Sequence, residues 1–131
     1  MNLLLDTHIL LWSLLEPSRL SRRISHELEN DDNHLWLSPI TTWEILILIE
    51  KGRIEIDLDP IDWIREIFST VPLREAPLNH EIAIQSRRIQ LPHKDPADRF
   101  IAATAVVYGL TLVTADKRLL ASDQYSLLPH K

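Results

Sequence analysis

The chain has 131 residues, enough for one hydrophobic core and too few for two, so a single domain spanning 1–131 is expected. A composition of 45% hydrophobic and 25% charged residues excludes a disordered chain, and no apolar run reaches the roughly 18–20 residues of a membrane span. The absence of cysteine excludes disulfides and thiolate metal sites; the net charge of −5 argues against a broad nucleic-acid-binding surface but leaves room for a few basic residues along a short single strand.

The opening stretch MNLLLDTHILLW has no positive n-region and carries an Asp inside its apolar run, so no signal peptide is expected. With no cysteine, the expected location is cytoplasmic. Asn2–Leu5 reads as a short strand ending at Asp6, and the segment from Thr7 to Leu15 as a helix apolar on every face, buried on both sides or used in an oligomer contact. Ser18 to Asn30 has Leu20, Ile24 and Leu28 at four-residue spacing, which predicts an amphipathic helix. His34–Leu37 is a second buried strand. Ser38 and Pro39 then open a long apolar helix that closes at Glu50-Lys51-Gly52, with Ser at the N-cap, Pro at N1 and Gly at C′.

Ile61–Phe68 and Asn79–Leu91 are further amphipathic helices. A helix opened by Asp95-Pro96 follows, then a strand over Leu110–Val113, a short helix over Lys117–Ala121 and a last strand near Tyr125–Leu128. Alternating strands and helices imply a three-layer α/β domain with a mostly parallel sheet. Ligands of such sheets gather beyond the carboxyl ends of the strands. Asp6 and Asp116 both fall at strand ends.

Two more acids face apolar neighbours. Glu44 has Ile40, Ile47 and Leu48 at i−4, i+3 and i+4, and a lone buried carboxylate costs several kcal/mol unless paired or bound to a metal. Asp98 shares a helical face with Ile101, Ala102 and Ala105, with Asp95 as N-cap and Pro96 at N1. Each acid also has a plainer reading: Asp6 and Asp116 as helix caps, Glu44 in a salt bridge, Asp98 as an N3 acid favoured by the helix dipole. Together, however, they put four carboxylates near one edge of one sheet. Two carboxylates ~5 Å apart repel by about 3 kcal/mol at an effective dielectric of ~20. Four call for a cation, and Mg²⁺ or Mn²⁺ suits oxygen ligands and phosphodiester hydrolysis.

The remaining polar residues carry less. No histidine pair has zinc spacing; His8 and His93, beside the acids in sequence, read as structural or solvent-facing. Gly52 and Gly109 both follow helices, which excludes phosphate-binding glycine loops. Lys94, Arg99, Lys117 and Arg118 flank the acids and could steer a phosphate backbone, or could be ordinary solvated charge. Trp12, Trp36, Trp43 and Trp63 lie in apolar contexts and read as core or interface residues in preference to base-stacking ones.

Three segments, LLLDTHILLW, LSPITTWEILILIEKGRIEI and LPHKDPADRFIAATAVVYGLTLVTAD, resemble the PIN-domain ribonucleases, specifically the VapC-type toxins of type II toxin–antitoxin pairs. The resemblance runs nearly end to end and implies a PIN-like α/β/α fold. It also implies a metal-dependent endoribonuclease, a homodimer, an RNA substrate and a cognate antitoxin that blocks the site. It assigns the metal cluster to Asp6, Glu44, Asp98 and Asp116 and a supporting Ser/Thr to Thr114; Asp95 is given the helix start and a supporting role beside the acids. Two positions depart from the familiar subgroup: Ala97 replaces a Phe between the paired aspartates, and no Lys follows Glu44 on its helix, where Leu48 or its neighbours stand. Two rivals keep a non-catalytic α/β fold: a phosphorylation-switched receiver, which would need a second acid beside Asp6, and a module that binds RNA or a partner without cutting.

Overall fold

The computed structural model describes residues 1–92 and 94–129. Among them the chain forms five strands and seven α-helices. They run as β1 (Asn2–Leu5), α1 (Thr7–Leu15), α2 (Arg22–Glu29), β2 (His34–Leu37), α3 (Pro39–Glu50) and α4 (Pro60–Thr70). They continue as β3 (Leu73–Glu75), α5 (His80–Arg88), α6 (Pro96–Tyr108), β4 (Thr111–Thr114), α7 (Lys117–Leu120) and β5 (Leu127–Pro129). No helix among the described residues is long and apolar enough to cross a membrane.

Side chains alternate across a strand, and β1 sorts the core accordingly. Leu3 and Leu5 pack with Ile9, Leu10, Ile24, Ile45 and Ile64 from the first four helices. Leu4 turns the other way, with Leu112 of β4, against Ile101, Ala102 and Ala105 of α6. The result is helices on both faces of the sheet. Small Ala102 and Ala105, almost fully buried, let α6 lie close to the strands.

The strand order is β3-β2-β1-β4-β5, and every pairing is parallel. The chain therefore builds outward from β1 to β3, then returns to β1's other edge with β4. Beyond β1, α1 packs on one face; beyond β4, Leu119 of α7 packs on the opposite face. Connections that diverge in this way leave a crevice between the two strand ends, the topological switch point where α/β sheets bind ligands.

Helix boundaries follow the predicted caps. Ser38 accepts from the Ile40 N–H with Pro39 at N1, and Asp95 accepts from the Ala97 and Asp98 N–H groups with Pro96 at N1. Gly109 ends α6 at φ +63° and lets the Leu110 N–H reach the Ala105 carbonyl at 3.0 Å. An added Cβ there would meet nothing within 4 Å, so Gly109→Ala exposes the backbone preference alone. The expected loss is about 1 kcal/mol in urea unfolding.

Other details differ from expectation. Ser18 lies in a short 3₁₀ turn, Pro17–Arg19, and α2 starts only after Ser21, whose hydroxyl caps Ile24. β5 begins two residues late, and β4 runs one residue further, to Thr114. The edge strand β3 was not foreseen: it has three residues, two of them the exposed Arg74 and Glu75, so it shows no apolar alternation. His93 lies outside the described residues.

Candidate active site

Asp6 stands where β1 stops and α1 starts. One of its carboxylate oxygens caps the helix by accepting from the Thr7 N–H at 2.8 Å, and the other accepts from the Thr114 hydroxyl at 2.6 Å. The side chain is only 6% exposed. Burial raises the pKa of this carboxyl and Asp116 adds to the rise, against the two hydrogen bonds and His8. Thr114 also accepts from the Asp116 N–H at 3.0 Å. One hydroxyl at the end of β4 thus ties the two strand-end acids together.

Glu44 reaches the same place from α3. Its partner is the buried Thr7, whose hydroxyl donates to Oε1 at 2.6 Å, with the Thr41 hydroxyl 3.4 Å from that of Thr7. Burial raises the Glu44 pKa, and Asp6 and Asp95 push it further; the Thr7 bond and His8 act against them.

Asp98 enters from the opposite face of the sheet, on the first turn of α6. It is 9% exposed. Its carboxyl is pushed up to about 7, first by burial and then by Asp6, Asp95, Asp116 and Glu44. Five carboxyls therefore act on one another within a single crevice. They line a cleft of about 460 Å³, together with Thr7, His8, Trp12, Arg19 and Arg118.

Asp116 caps α7 through the Arg118 N–H. The Arg118 guanidinium folds back over the cleft, 3.2 Å from Asp116 Oδ2 and 3.8 Å from Asp98 Oδ2. Hydrogen bonding to Asp116 raises the Arg118 pKa. Its side chain is more than half exposed, and exposed ion pairs contribute little net stability. Arg118 can therefore exchange one anion for another. Among the described residues no three His, Asp or Glu side chains are already gathered tightly enough to hold a metal ion.

Of the four basic residues singled out beside the acids, only Arg118 lines this cleft. Lys94 and Lys117 are exposed outside it. Arg99 is turned away: its guanidinium donates to the Ser86 carbonyl at 2.8 Å and the Ile89 carbonyl at 2.6 Å, tying α6 to the end of α5. Engaged there and absent from the cleft lining, Arg99 helps hold the fold. The receiver reading gains nothing, since Thr7 and not a second acid follows Asp6 at the end of β1. Thr7 and Arg19 were not foreseen at all. The Asp-Thr pair at a strand end was a usable sign for Thr7; Arg19, in an irregular turn, gave none.

The sequence matches the PIN domain family over residues 3–123. It is 35% identical over 121 residues to Ribonuclease VapC22 of Mycobacterium tuberculosis (strain ATCC 25618 / H37Rv), covering 90% of this chain and 89% of that one. The fold is similar to a chain of the VapBC2 structure from Rickettsia felis, bound to a DNA fragment from its promoter: TM-score 0.76, 17% identity, 100% of each chain covered. It is also similar to a chain of the DNA-bound VapBC structure from Salmonella typhimurium, with TM-score 0.71, 18% identity, and 100% and 99% coverage. With the carboxylate crevice at the switch point and a matched length that spans nearly the whole chain, the protein belongs to the PIN-domain family and, within it, to the VapC type.

Proposed function

We propose that the chain is a divalent-metal-dependent endoribonuclease, the toxin of a toxin–antitoxin pair, and that Asp6, Glu44, Asp98 and Asp116 hold Mg²⁺ or Mn²⁺. The observation that carries this reading is a buried cleft shared by several carboxyls, where burial first and the neighbouring acids second push Asp98 up to about 7. The donor set is all oxygen and carries excess negative charge, which fits a hard divalent cation. The acids are not drawn together tightly enough for direct ligation by three of them, so such an ion would be held partly through water, as Mg²⁺ commonly is. When bound, it would supply Lewis-acid polarisation of the phosphate and a more acidic water.

The chain's own residues do the placing. The Thr7 N–H and the Thr114 hydroxyl fix both oxygens of Asp6, and the Thr7 hydroxyl fixes Glu44. Groups held in this way need no reorganisation during the reaction, which is where much of the rate advantage of a polar site originates. Arg118, at the mouth, is free to move from carboxylates to an incoming phosphate. Asp95 starts α6 and adds negative charge without being needed as a ligand.

The similarity to VapC22 supports RNA as the substrate, and the VapBC neighbours support an antitoxin as partner. A homodimer is supported by Ile84, Val107 and Tyr108, exposed on the packed pair α5 and α6. The purified protein is expected to cut single-stranded RNA with Mg²⁺ or Mn²⁺, to stop with EDTA and to recover when the metal is restored. Cleavage that persists in EDTA and in Asp6→Asn overturns the reading.

A further inference from the structure

Glu44 has a second cavity on its far side. On α3, Trp43, Ile47 and the capping Lys51 recur every four residues, and Glu44 and Leu48 form the adjoining stripe. The first stripe borders a pocket of about 270 Å³ lined by Trp43, Glu44, Lys51, Arg53, Asp95 and Ala97. Glu44 and Asp95 also line the acid cleft, so the two cavities adjoin. The sequence leaves Trp43 between core, interface and base-stacking roles, and its exposure removes the first. It is 53% exposed, and Lys51 and Arg53, which line the same pocket, are exposed too. At the start of α6 the pocket meets Asp95, Pro96 and the small Ala97, where a longer side chain would reduce its space.

A large aromatic face kept in water, with two cations at its rim and reacting carboxylates next door, matches what single-stranded nucleic acid requires. Bases splayed out of a strand stack on aromatic side chains, and cations follow the phosphates. Lys51 and Arg53 are balanced in this pocket by Glu44 and Asp95. The ligand that suits it therefore pairs a flat ring for the indole with a phosphate for the two cations, as a nucleotide does. We propose that this pocket is a nucleobase subsite. It takes the unstacked base of the nucleotide adjoining the cut phosphate, stacked on Trp43, with the next phosphate along the strand near Lys51 and Arg53. This rests on the ribonuclease reading and extends it to recognition.

The test combines a binding readout with a kinetic one. With EDTA present, a short single-stranded oligoriboadenylate should quench the intrinsic fluorescence of the wild-type protein. Trp43→Phe should bind it with most of that quenching gone, and Trp43→Ala should bind it about ten- to a hundredfold more weakly. In cleavage with Mg²⁺, Trp43→Ala should raise KM by a similar factor while kcat moves much less. An abasic ribose beside the cut should penalise the wild type but not Trp43→Ala. Ala97→Leu, which fills the pocket from the other wall, should reproduce the KM effect.

Unchanged quenching in Trp43→Phe, or the same abasic penalty in Trp43→Ala, overturns the subsite. A Trp43→Ala variant that alters only self-association or antitoxin binding also overturns it and makes the face a protein interface. Quenching that depends on Trp43 in a wild-type protein that cuts no RNA keeps the subsite and removes the ribonuclease reading instead.

Discussion

Asp98→Asn is expected to abolish most RNA cleavage and, in the metal-free protein, to raise stability. The carboxyl titrates near 3.8 in an unfolded chain and near about 7 in the fold. Between those values the folded state holds more protons than the unfolded one. The stability of the metal-free protein therefore falls as pH rises from about 4 to about 7 and stays at the lower level above. A shift of about three units corresponds to at most about 4 kcal/mol, and water entering the cleft reduces it. Asn cannot ionise and should recover about 1–3 kcal/mol at pH 8 and little at pH 4.

Urea unfolding in EDTA at the two pH values measures this; equal stability of wild type and variant at pH 8 would show that neither burial nor the neighbouring acids strain Asp98. The same substitution should reduce cleavage by about a hundred- to a thousandfold. Asp95→Asn is the control within the same turn. Asn still caps a helix, so both stability and most of the activity should survive. Equal losses from the two substitutions would make the pair joint ligands.

The second large effect should come from Thr114→Val. Valine keeps the volume and removes the hydroxyl that holds Asp6 at 2.6 Å. A buried carboxylate that loses a charged hydrogen bond is destabilised by about 1.5–3 kcal/mol. Because that bond holds the Asp6 pKa down, its removal raises it further. The loss should therefore be full at pH 8 and should shrink as the pH falls and Asp6 becomes protonated in the fold. Denaturation at several pH values reads this directly. Cleavage should fall as well, since Asp6 and the Asp116 backbone lose their common anchor. A loss relative to wild type that is the same at every pH would show that Thr114 acts only by packing.

Much of this site could be read from the chain because its acids sit at punctuation marks. Asp6 and Asp116 end strands and cap helices, and Asp95-Pro96 with Gly109 bracket α6 so clearly that Asp98 can only be its third residue. The all-apolar neighbours of Glu44 set it apart as a carboxylate needing company. What escaped has physical reasons. β3 is too short and too polar to show a period, and its place at the sheet edge is decided by pairing with β2. Arg99 follows Asp98 directly, but one residue along a helix is a turn of about 100°, which carries its guanidinium to α5 instead of the cleft. Trp43 and Glu44 are split by the same rotation, so an apolar context in sequence gave no sign that the indole would stand in water.

The bond between Thr114 and Asp6 spans 108 residues, and β1 is paired on one side by a strand from the far end of the chain. Contacts of that separation form late, since the entropy of closing so large a loop must be met before they contribute anything. During synthesis Asp6 and Glu44 leave the ribosome early, with neither Asp98 nor Asp116 yet made. A chain stalled before α6 carries two of the four proposed ligands and one stalled between α6 and β4 carries three, and neither has the β1–β4 pairing that frames the crevice. With the four acids as the proposed ligands, activity waits until almost the last strand docks, a safeguard in time that comes from strand order.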